Sequence, residues 1–235
     1  MNKQTGQVVV TVFDTPVRIK PGFWGVLAAL WAVMMWLTGR RLPGRTAPAR
    51  LLIGSLATPV LMSADVVHAL AHIFSARLAG GPMDEIVLGM HMPQTLYHDN
   101  QVPPAVHRSR ALGGPVYSGA AMIADLAARQ MTPKDSAIHE ILGWSAAGNG
   151  FILAGSLLPL PFVDGGSILK WTLVERGQSE AAADQTVQVV NVALGATAAV
   201  AGAGLLARRR RWPGLGLIAA GAFLVAAGLG KIRQI

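Results

Sequence analysis

The 235-residue chain contains no cysteine. That absence excludes a disulfide framework and any thiolate metal site, so a bound metal would have to be held by imidazole and carboxylate groups. Charge is scarce as well. Only 14% of residues are Asp, Glu, Lys or Arg, and 52% are hydrophobic, whereas ordinary soluble domains carry about 25% charged residues. Such a composition points to a membrane protein. Acidic residues are outnumbered by basic ones, 12 to 20, for a net charge of +8. The basic side chains cluster at the ends of apolar segments, where they meet anionic lipid or fix topology, so the surplus does not indicate nucleic-acid binding. The opening MNKQTGQVVVTVFDTPVRIKP lacks the apolar run and the small-residue cleavage pattern of a signal peptide and is expected to be retained. No internal repeat is visible.

Apolar segments of near-membrane length recur along the chain. Residues 22–38 follow Pro21 and stop at Gly39, Arg40 and Arg41. Residues 51–79 run from Arg50 to Gly80-Gly81-Pro82, which cannot continue a helix. Weaker or shorter candidates are 110–128, which contains Gly113, Gly114 and Pro115, and 137–160; two Gly/Ala-rich candidates, 186–207 and 213–230, flank Arg208–Arg211. The fold expected is an all-α polytopic membrane protein with five to six transmembrane helices and a small β-hairpin or sheet between helices two and three. Val8–Phe13 suit a short strand or an interfacial stretch, making 1–21 an N-terminal strand or interfacial segment. The remaining organisation reads as a four-helix core over 22–172 with a hairpin insert at 83–107, a linker at 173–185, and a two-helix scaffold at 186–235.

The last two candidate spans carry no ionisable residue, which places the chemistry upstream, in VVHALAHIFSARLAGGP. An ionisable group at membrane depth is costly and marks a functional site by default. His68 and His72, four residues apart, share one helix face a turn apart, so both rings can reach one metal ion. The competing reading is two buried histidines hydrogen-bonded to neighbouring helices. Asp65 lies on the same side one turn earlier, placed to orient a histidine ring or to act as a base. Asp164, in the Pro- and Gly-broken run SLLPLPFVDGGSIL, sits where irregular backbone is normally kept out of lipid, and could supply a third ligand; otherwise it is an aspartate in an interfacial turn. Three protein ligands with an open position would suit a catalytic Zn²⁺.

These motifs resemble the site-2 proteases, intramembrane zinc metalloproteases. VVHALAHIFSARLAG resembles their H-E-x-x-H helix, SLLPLPFVDGGSIL their N-x-x-P and D-G-G segment, TPVRIKPGFW the lead-in to their first helix, and GGPVYSG their G-P-x-x-N segment. The resemblance covers residues 15 to about 172. It implies a site-2 protease-like fold and Zn²⁺ on His68, His72 and Asp164. It also exposes departures. Ala69 stands where the family has its general-base glutamate, Ser118 and Ser156 stand where it has asparagines, and Asn149 matches another asparagine common in such helices. By the resemblance, Asn149, Ser118 and Ser156 are substrate-binding positions, and DEIVLGMHM resembles a hairpin that presents substrate as an added strand, which needs only backbone pairing.

Zinc lowers the pKa of a bound water to roughly 7, but Ala69 cannot pass a proton to a leaving amine, and general acid-base catalysis contributes about 10²- to 10⁴-fold. The expectation is a multi-pass integral protein, most simply of the cell membrane, that binds a transmembrane or membrane-associated protein segment in the lipid bilayer with weak or absent proteolysis. The alternative is an active intramembrane protease using another carboxylate, with Asp65 placed better than Asp84, Glu85 or Glu140. A transporter is the third class, disfavoured by the lack of a repeat and by the single ionisable cluster. His91, His98, Asp99 and His107 read as solvated loop residues, or as a second metal site. The basic loops favour one membrane orientation and the depth of His68 along its helix the other.

Overall fold

The computed structural model describes residues 6–231. The chain order is β1 (Gln7–Val12), β2 (Thr15–Ile19), α1 (Gly22–Arg41), α2 (Ala47–Leu78), β3 (Glu85–Leu88), β4 (Gln94–Leu96), α3 (Pro104–Gln130), α4 (Ala137–Ser156), α5 (Asp164–Glu175), α6 (Glu180–Ala207) and α7 (Arg211–Gly228). Contacts divide it into two compact units, one ending at Val102 and resuming over Leu112–Gly155, the other made of Pro103–Ala111 and everything from Ser156 onward.

In the first unit, the sequence expectation of a hairpin between helices two and three is met by β3 and β4, but they belong to a larger sheet of order β1-β2-β3-β4. The β1–β2 hairpin turns through Phe13 and Asp14, both at positive φ, the backbone that matches the twist of a tight two-residue hairpin. β2 then pairs in parallel with β3, Val17 opposite Ile86, across the whole α1–α2 excursion. α2 covers the sheet: Val17, Ala69, Ile73, Ala76, Met83, Ile86 and Leu88 form one buried apolar cluster.

The helix boundaries differ from the sequence expectation for local reasons. α2 starts at Ala47 rather than 51 because the Thr46 side chain accepts a hydrogen bond from the Ala49 amide and Pro48 suits the first turn. Pro59 lies inside α2, as membrane helices tolerate. α4 stops at Ser156, before Pro159 and Pro161, rather than at 160. α6 begins at Glu180 instead of 186, since Ser179 caps it by accepting from the Ala182 amide and good helix formers follow.

Among the described residues, four helices, α1, α2, α6 and α7, are long and apolar enough to cross a membrane. The segments expected as further spans at 110–128 and 137–160 are helical but fall outside this set; α3 carries Arg108, Arg110, Asp125 and Arg129 along its length.

In the second unit, α6 and α7 meet along Gly195, Gly202, Gly214 and Gly221, whose missing side chains let the two backbones touch. Between α4 and α5 the backbone is irregular, and in an apolar setting its carbonyls need partners. Asn191, a fully buried residue of α6, supplies one: its amide donates to the Pro159 carbonyl and, at 2.9 Å, to the Val187 carbonyl. Replacing it by a similarly shaped apolar residue leaves that carbonyl without its donor, at a cost of about 1–3 kcal/mol. Asn191→Leu is therefore expected to lower the thermal unfolding midpoint of the detergent-solubilised protein, whereas Thr197→Leu, on the exposed side of the same helix, is expected to leave it unchanged.

Candidate metal centre

His68 and His72 are both buried in α2, with ring centroids 5.0 Å apart and planes at 79°. Their shared helix face, read from the spacing, is filled on its far side by α3. At Gly113 the α3 backbone closes on the Ala71 carbonyl and Ser75, and at Gly114 it lies against both imidazoles. A Cβ built on Gly114 would stand 2.4 Å from His68 Nε2 and 2.4 Å from His72 Nε2. The two nitrogens thus converge on one small space that any side chain at 114 would occupy. The α3 backbone thus packs directly against the pair, and imidazole nitrogens are donors that zinc takes.

The ring of His68 is held by Ser118, whose Oγ lies 2.9 Å from Nδ1. In the tautomer that frees Nε2 to ligate, Nδ1–H donates to this hydroxyl, the arrangement by which a neighbouring group fixes a ligating histidine. The Gly114 amide donates to His72 Nδ1 at 3.4 Å, a long bond in which that nitrogen is the acceptor. Ser118, expected from the resemblance as a substrate contact, therefore serves the histidine directly. The sequence offered Asp65 for that task. Asp65 lies within electrostatic reach of His68 and also lines a small cavity with Phe23, Val26, Met62 and His91.

Ala69 is 2% exposed and packs in the apolar cluster with Val17, Ile73, Ile86 and Leu88. The place of the family's glutamate is thus part of the helix–sheet core. Asn149 is also buried, and its amide donates to Ser145 O at 3.1 Å and to Asp125 Oδ2 at 3.4 Å, while Ser145 Oγ donates to the same carboxylate at 2.6 Å. It joins α4 to α3 rather than meeting the histidines. Asp125 is the residue the sequence reading missed, although an acid in the span expected at 110–128 was the available signal. His91, His98 and Asp99 are exposed. His107 is not a loop residue: it lies in the first turn of α3 and stacks on Trp171, centroids 3.8 Å apart and planes 5° from parallel. None of these four belongs to a metal-ligating group among the described residues.

Ser156 and Asp164 belong to the second unit, at the end of α4 and at the first position of α5. Asp164 was expected in an irregular run; it instead opens a twelve-residue helix behind an extended Val163. The two glycines after it explain how. A Cβ on Gly165 would stand 2.3 Å from the Leu157 carbonyl oxygen, and one on Gly166 1.9 Å from that of Leu160. Only glycine lets the first turn of α5 press onto the preceding loop, and that contact fixes Asp164 at the turn.

No protein-family model matches the chain. Two strains of Mycobacterium tuberculosis carry a curated relative named "Putative zinc metalloprotease Rip3", 30% identical over 196 residues that make up 76% of this chain and 49% of the relative. The chain thus spans about half the length of the curated relatives it matches. Among solved structures, the site-2 protease from Methanocaldococcus jannaschii superposes with a TM-score of 0.55 at 15% identity, covering 98% of this chain and 96% of that one. The curated relative and the likeness in fold together support the site-2 protease family for this chain.

Proposed function

We propose that this protein is a multi-pass integral protein of the cell membrane that binds Zn²⁺ through His68, His72 and Asp164 and engages a transmembrane or membrane-associated protein segment, with proteolysis weak or absent. The observation that carries the zinc reading is the pair of buried imidazoles, 5.0 Å apart, with both Nε2 atoms side by side against Gly114. The relative's name, a zinc metalloprotease, agrees with it. Asp164 enters as third ligand on the resemblance of its D-G-G motif, and Ser156 as a substrate contact on the same ground.

A zinc ion held there would supply Lewis acidity. The chain's own contribution is orientation: Ser118 sets the His68 ring, and α3 shields both imidazoles from one side. What it lacks is a side chain at 69 to carry a proton, and the burial of Ala69 among apolar residues leaves no carboxylate in that place. The second reading is Asp65 as replacement base: it lies within electrostatic reach of His68 and lines a cavity with residues of α1 and of the segment after β3.

Elemental analysis of the purified protein is expected to find close to one zinc per chain, lost in His68→Ala and in Asp164→Ala; metal-free, folded parent protein would overturn the reading. Gly114→Ala is expected to exclude zinc by filling its space while helix content by circular dichroism is unchanged. Ser118→Ala is expected to weaken zinc binding by about 10- to 100-fold in chelator competition. Incubated with unfolded casein or a transmembrane peptide, the parent is expected to show no cleavage that phenanthroline suppresses. If such cleavage appears and Asp65→Ala abolishes it with zinc retained, Asp65 is the base.

A further inference from the structure

The β1–β2 hairpin carries apolar residues that the core does not use. Val8, Val9 and Val10 are consecutive in β1 and 41%, 50% and 49% exposed, and Phe13 at the turn is 58% exposed. Successive strand residues face opposite sides of a sheet, so β1 is apolar on both faces. A strand with one face on a core and the other in water would alternate. β1 is also the terminal strand of the sheet, with its outer edge unpaired among the described residues.

Two contacts fix the level of this hairpin. β2 leads through Lys20 and Pro21 into α1, and Arg77, in the last turn of α2, donates to the Phe13 carbonyl at 2.7 Å and pairs with Asp14 at 2.8 Å, its guanidinium lying 5.6 Å from the Phe13 ring centroid. The hairpin is therefore held where α1 begins and α2 ends, at one end of two membrane-length helices. The same level holds exposed Trp24 and Leu78. Tryptophan at a helix end marks the boundary between acyl chains and headgroups, and an arginine there reaches back to the polar layer. Beside Trp24 an open cavity of about 490 Å³ is lined by Gly6, Gln7, Val9, Ile19, Pro21 and Trp24.

We propose that the β1–β2 hairpin is an interfacial anchor, with Val8–Val10 and Phe13 set into the acyl–headgroup boundary of one leaflet and a lipid acyl chain in the cavity against Trp24. α1, a membrane-length helix, begins just after β2, and lipid suits a strand that is apolar on both faces. A second copy adding to the β1 edge suits it less, because the register slips between Val8 and Val10 and this bulge breaks the regular row of backbone donors and acceptors. The inference stands on the membrane character of the chain and does not depend on zinc or on proteolysis.

The lack of native cysteine makes single-cysteine labelling direct. The full chain carrying Val9→Cys or Val10→Cys, labelled with a nitroxide and reconstituted in phosphatidylcholine–phosphatidylglycerol vesicles, is compared with Val33→Cys on the exposed surface of α1 and Asn100→Cys in an exposed loop. The expected result at both hairpin positions is oxygen collision near the Val33→Cys value and collision with aqueous nickel chelate severalfold below Asn100→Cys. Nickel collision equal to that of Asn100→Cys would put the hairpin in water and overturn the proposal. So would spin–spin broadening between labels at position 10, which would identify a second copy on the β1 edge. Both replaced valines are exposed, and an unchanged thermal midpoint confirms that the labelled chains are folded.

Discussion

The close approach of α3 to α2 at Gly113 and Gly114 is the contact on which the candidate site depends. Without side chains at these positions, the α3 backbone reaches the Ala71 carbonyl and both imidazoles, and it brings Ser118, one turn further along, to His68 Nδ1. Two polar rings in the middle of an apolar helix would be costly if unsatisfied. Here one ring has a hydroxyl partner and both ring nitrogens face a common space. The same geometry sets two imidazole nitrogens side by side.

On its other flank, α2 has the opposite character. Ala69 neighbours His68 in sequence, yet a turn of about 100° per residue carries it into the apolar cluster under the sheet, beside Val17, Ile86 and Leu88. A glutamate at that position would have to be accommodated against buried aliphatic side chains. In this chain the position contributes packing.

The second unit meets a related constraint by other means. Its irregular stretch between α4 and α5 exposes carbonyl oxygens that lipid cannot satisfy. Asn191 reaches one of them from α6, and the glycine pair after Asp164 lets α5 start tightly against the others. The D-G-G motif is thus explained by backbone proximity: the glycines are needed for the turn, and the aspartate is fixed by it.

The sequence alone determined much of this. Helical spacing put His68 and His72 on one face, apolar runs marked the membrane-length helices, and the order of the motifs identified the family, because each depends on residues close in the chain. The tertiary structure decided the rest. The parallel pairing of β2 with β3 spans the α1–α2 excursion, so no local pattern announces a four-stranded sheet. Ser118 as a partner of His68 rests on the approach of a distant helix, and the packing of Asn149 against Asp125 and of His107 on Trp171 has the same origin. Local periodicity states which face a residue occupies. What stands opposite that face is set by packing between segments far apart in sequence, and only the folded chain specifies it.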